Sequence, residues 1–118
     1  MAGLQAKKTV NNMALTRDFK QTIQARVRRD PAFRKELLRE AIDCLLVGDI
    51  ETGKTVLRDY INATVGFSKL SRSTRIPSKS IMRMLGPAGN PRAQNIFQIV
   101  ATLQQYEGIR LHVRPTQV

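Results

Sequence analysis

Apolar side chains recur every three to four positions over most of this chain, the spacing that marks one face of an α-helix. Leu15, Phe19, Ile23 and Val27 form a narrow seam on a helix expected to start at Thr16, a good N-cap with Asp18 in the first turn. The pattern restarts at Asp30-Pro31. Asp caps the new helix, and Pro takes the first helical position, where its missing N–H costs nothing. Phe33, Leu37, Leu38, Ala41, Ile42 and Leu45 then make a broad apolar face that ends near Gly48. Asp49 caps a third helix with Ile50, Val56, Leu57, Tyr60 and Ile61 turned inward.

The Thr64-Val65-Gly66 break leads into two short helices joined by a tight turn, over residues 67–85. The first has Phe67 and Leu70 to bury, the second Ile81, Met84 and Leu85. Gly86-Pro87-Ala88-Gly89 reads as a loop, and Asn90-Pro91 repeats the cap-plus-proline start. A last helix buries Ile96, Ile99, Val100 and Leu103. After Gly108 the period drops to two: Ile109, Leu111 and Val113 alternate with Arg110, His112 and Arg114, a short strand signal. A lone strand has no partner within the chain, so these three residues become a candidate dimer contact with a second copy. Residues 1–14 show no sustained period and are expected to form a flexible arm. Residues 15–118 are expected to form a single, all-α DNA-binding domain with one short C-terminal strand.

Charge gives this helical frame a direction. Residues 1–59 carry 12 basic and 8 acidic side chains, whereas residues 60–118 carry 8 basic and 1 acidic. A basic half joined to a mixed half points to a polyanionic partner for the basic one. The 42% hydrophobic and 25% charged content is that of a folded domain. Cys44 is the only cysteine and falls in an apolar run, where it reads as a small buried hydrophobe in a reducing compartment. No apolar run approaches a membrane span or a signal peptide, so the expectation is a cytoplasmic protein with no membrane partner.

The stretch FSKLSRSTRIPSKSIMRML combines both signals. It reads as a helix-turn-helix, in which the second helix enters the DNA major groove and phosphates attract the surrounding surface. Leu70, Ile76, Ile81 and Met84 occupy the apolar anchor positions, Ser71 a small-residue position, and Pro77-Ser78 starts the second helix with Ser78 as N-cap. The residues left facing out at its N-terminal end, Ser78, Lys79, Met82 and Arg83, are the candidates for reading base edges. Arg83 suits a bidentate contact to guanine. Lys69, Arg72, Arg75, Ser80, Asn90 and Arg92 are the candidates for phosphate contacts, which fix register without reading sequence. For Asn90 a simple helix cap competes with that role.

From Asp30 to Val113, the segments RDPAFRKELLREAI, GDIETGKTVLRDYINATVGFSKL, SIMRMLGPAGNPRAQNIFQIVATL and IRLHV resemble the addiction-module antidote family, the HigA-like antitoxins. The resemblance covers about 70% of the chain. It implies a bacterial, lambda-repressor-like helical fold and a homodimeric, nucleoid-associated repressor of its own operon. It also implies neutralisation of a RelE-like toxin, with base reading on Ser78, Lys79 and Arg83. The chain departs from the pattern twice: Arg75 stands in the turn where such motifs usually place Gly, and Ser71 replaces the commoner Ala.

Residues 48–55, GDIETGKT, satisfy the nucleotide-binding pattern G-x-x-x-x-G-K-[ST]. That motif follows a buried strand, but the residues before Gly48 read as helix, and Asp49 and Glu51 would face a polyanion. The segment is therefore expected to be a helix junction. His112, the only histidine, lacks metal-ligand company, and Glu36, Glu40 and Asp43 alternate with basic neighbours as a solvated face does. No Ser, Cys or His has the partners of a nucleophile, so neither enzyme activity nor a cofactor or metal is expected. The competing reading is a protein-interaction module whose N-terminal helices, Phe19 and Ile23 included, inhibit a partner, with only non-specific DNA affinity.

Overall fold

Two aspartates set the frame. In the computed structural model, which describes residues 17–118, Asp30 Oδ1 accepts the Phe33 N–H at 3.2 Å and Asp49 Oδ1 accepts the Thr52 N–H at 3.3 Å. Each bond satisfies an otherwise orphaned amide and starts a helix. Six helices follow in order among the described residues: α1 (Arg17–Arg29), α2 (Pro31–Leu46), α3 (Ile50–Ala63), α4 (Phe67–Thr74), α5 (Ser78–Met84) and α6 (Ala93–Glu107). The expected arm, Leu15 and the Thr16 cap lie outside the described residues.

Helices α2 and α3 fold back on each other through Val47-Gly48-Asp49. Gly48 takes φ +86°, which a side chain would resist, and lets the chain reverse. Gly53 brings the pair close: a Cβ there would lie 2.7 Å from Leu45 Cδ2. One apolar cluster joins both halves of the chain, with Val27, Leu38, Leu57 and Ile61 from the first and Leu70, Ile81, Leu85, Ile99 and Leu103 from the second. Cys44 is buried beside this cluster in α2, as expected of a small hydrophobe.

The protein departs from the sequence-based expectations at three places in this frame. Ile50 is 43% exposed, because it sits at the α2–α3 corner with the exposed Leu46 and Val47 rather than on the inner face of α3. Asn90-Pro91 starts no helix: α6 begins at Ala93 after an extended Arg92, and Asn90 and Pro91 instead bridge from the preceding loop. The segment Ile109–Val113 forms no strand. A ladder needs a second edge, and the described residues of one chain offer none. Instead the Ile109 and Leu111 amides donate to Gln104, at its backbone O (3.1 Å) and its Oε1 (2.7 Å), while Val113 stays 73% exposed.

A polar tie closes the bundle. Glu107 at the end of α6 receives Arg34 Nε on both carboxylate oxygens at 2.8 Å, and the Tyr60 hydroxyl also donates to it. Arg34 Nη1 further donates to the Val27 carbonyl at 3.1 Å, so one carboxylate links α1, α2, α3 and α6. Burial, then the hydrogen bond to Glu107 and its charge, push the Tyr60 hydroxyl pKa well above its ordinary value of 10.0.

Candidate nucleic-acid interface

Helices α4 and α5 are separated by only Arg75-Ile76-Pro77, and each residue of this turn has a local cause. Thr74 Oγ1 donates to the Leu70 carbonyl at 2.9 Å and accepts the Ile76 N–H at 3.3 Å, which draws the chain out of the helix. Arg75 takes the left-handed conformation, φ 62° and ψ 20°, and its N–H returns to the Ser71 carbonyl at 2.7 Å. This is the glycine-like geometry adopted by an arginine, at a cost of about 1–2 kcal/mol. From α6, Gln98 Nε2 reaches the Thr74 carbonyl at 2.8 Å and satisfies the helix end from outside.

Pro77, not Ser78, is the residue before α5, held extended at φ −56° and ψ 142°. Proline's fixed φ sets that extended entry, and Ser78 becomes the first helical residue. Its hydroxyl donates to the Phe67 carbonyl at 3.3 Å, latching the start of α5 onto the start of α4. Leu70, Ile81 and Leu85 are fully buried beneath, with Ile76, Met84 and Ser71 half-buried around them.

On the opposite side of α5, Lys79, Met82 and Arg83 are exposed at i, i+3 and i+4 and share one face. Met82, a large apolar side chain, is 46% exposed there. Ser78 and Ser80 are half-buried at its edges, while Arg72, Arg75, Asn90 and Arg92 are exposed. Lys69 is drawn aside: its ammonium lies 4.9 Å from the Tyr106 ring centre, and Tyr106 is also bonded to Ser73. It therefore leans toward a cleft of about 330 Å³ that it shares with Arg28 and Arg34, between α4 and α6.

Among the described residues, none of Lys69, Arg72, Arg75, Lys79, Arg83 and Arg92 is in an ion pair. The one acid of residues 60–118, Glu107, is turned inward with its side chain 4% exposed. On α2, Glu36, Glu40 and Asp43 are engaged instead by Arg39 in a surface network. Among the described residues no cluster of His, Cys, Asp and Glu could hold a metal ion.

The nucleotide-like segment 48–55 is the connection after α2 and the first turns of α3, with Gly48 in the corner and Gly53 a helix-contact residue. Its lysine has a role that the sequence reading missed. Lys54 is only 1% exposed, and Nζ donates to the Gly86 carbonyl at 3.0 Å and the Gly89 carbonyl at 2.8 Å, with Glu51 Oε2 at 2.9 Å. Those carbonyls belong to the loop that follows α5. The available signal was position: Lys54 stands three residues before Leu57 and among Val56, Tyr60 and Ile61, on the face that α3 buries.

The chain matches no protein-family model, no curated protein and no solved structure.

Proposed function

We propose that this protein is a sequence-specific DNA-binding regulator of transcription that places α5 in the major groove. One observation carries the reading: a short helix presents Lys79, Met82 and Arg83 on one exposed face over apolar anchors, with neither cation in an ion pair among the described residues. Groove entry needs a helix that stands proud of its support, and phosphate attraction needs cations not already paired. The three-residue turn after α4 supports assigning the pair to the helix-turn-helix class.

In this reading Arg83 reads guanine, Lys79 and Ser78 contact neighbouring edges, and Met82 packs on a thymine methyl. Arg72, Arg75, Ser80, Asn90 and Arg92 hold phosphates, with Lys69 at the margin because Tyr106 draws it aside. The resemblance extends the proposal to an antitoxin that represses its own operon and neutralises a RelE-like toxin. Pairing of the Ile109–Val113 segments of two copies would supply the homodimer that two half-sites require. Phe19 and Ile23 are half-buried, and Ile23 packs on the core, so they suit toxin contact less well than the exposed Leu46-Val47-Ile50 corner.

The test is binding to the DNA upstream of the protein's own gene against scrambled DNA of equal length, across several salt concentrations. A specificity ratio that persists at physiological salt is the expected result. Arg83→Ala is expected to lose about 1–3 kcal/mol of that discrimination while leaving toxin neutralisation intact. Equal binding to both DNAs, fading steeply with salt, would replace this reading with that of a protein-interaction module.

A further inference from the structure

We infer that Lys54, on α3 and remote from the exposed face of α5, is a positioning residue for base reading; this rests on the DNA-binding reading above. The loop 86–89 begins where α5 ends: the Leu85 N–H bonds to the Ile81 carbonyl, and the Gly86 N–H to the Arg83 carbonyl at 3.1 Å. That loop cannot pull away from α5 or relax sideways. A Cβ on Gly89 would lie 2.3 Å from the Arg83 carbonyl oxygen and 2.4 Å from that of Met84, so the loop backbone is seated directly against the last turn of the helix.

Lys54 grips this seated loop from below at two points, the Gly86 and Gly89 carbonyls. A single ammonium bonded to both fixes the distance from α3 to the end of α5. The orientation of Arg83, in the last turn of α5, is thereby referred to the α2–α3 pair. Base reading depends on such orientation at sub-ångström tolerance, whereas phosphate attraction does not. The charge of Lys54 is buried and already bonded to the loop carbonyls and Glu51, so it adds little to phosphate attraction itself.

The inference separates two quantities that a phosphate contact would move together. Lys54→Met in the full-length protein, compared with the wild type on operator and scrambled DNA, is expected to lower the specificity ratio about tenfold. Scrambled-DNA affinity and its salt dependence should stay unchanged. In the amide spectrum of the free protein, shifts should concentrate on residues 82–90. Lys54→Gln, neutral and too short to reach both carbonyls, carries the same readouts if the methionine variant does not fold. A folded variant with the wild-type ratio would overturn the inference, as would a parallel fall in scrambled-DNA affinity with a shallower salt dependence. A wild-type protein without discrimination would instead remove the reading on which the inference rests.

Discussion

Arg75 shows how one residue can serve binding and oppose stability. Its left-handed backbone would suit glycine, yet its side chain stands exposed beside the recognition face. Arg75→Gly is expected to raise the unfolding free energy by about 1 kcal/mol in urea titrations. The same change should weaken operator binding and reduce the salt dependence by about one phosphate. Gly89 is the opposite case. Gly89→Ala forces a methyl into two carbonyl oxygens, and a loss of about 1–3 kcal/mol is expected by the same titration. The sequence placed Arg75 in the turn and marked it as a departure, but could not say whether the chain would avoid the strained conformation. That depended on Thr74 and Gln98 closing the helix around it, one a neighbour and the other 24 residues beyond Thr74.

At the scale of the helices, the starts of α2 and α3 were legible because Asp-Pro and Asp act on adjacent amides. The Asn90-Pro91 start looked the same and failed, because the loop before it is tied to α3 by Lys54 and the chain must still reach α6. Alternation after Gly108 read as a strand, but no strand forms among the described residues, since Gln104 takes the Ile109 and Leu111 amides. The Glu107 tie was also illegible, although the lone acid in a basic half marked the residue. Glu107→Gln is expected to cost about 2–3 kcal/mol, toward the low end for a broken buried pair because Arg34 is partly exposed. Tyr60 adds an alkaline limit. Its folded pKa lies above the unfolded value, so stability is full below pH 10.0 and falls as pH rises toward the folded value. Denaturation followed between pH 9 and 12 should show that decline, and Tyr60→Phe should flatten it.

For the molecule as a whole, the basic and mixed halves foreseen from charge share one apolar cluster, and the proposed base-reading side chains all lie outside α1, α2 and α3. Arg72, Arg75, Lys79, Arg83 and Arg92, in no ion pair among the described residues, together with the marginal Lys69 set a ceiling on electrostatic binding in the proposed DNA-bound state. The logarithm of affinity against the logarithm of salt is expected to fall with a slope no steeper than about −5 per protomer. A steeper slope would mean that further cations, such as Arg28 beside the α4–α6 cleft, also meet the backbone.

The grip of Lys54 on the loop after α5 and the hold of Arg34 and Tyr60 on Glu107 have a practical corollary for anyone wishing to transplant the basic half. A cassette cut at Gly66 would leave three loop and helix-end acceptors without their donors and strip the cover from Leu70, Leu85 and Leu103. It should behave as a sticky, unfolded peptide. Helix α5 is portable only together with the α2–α3 hairpin on which it stands.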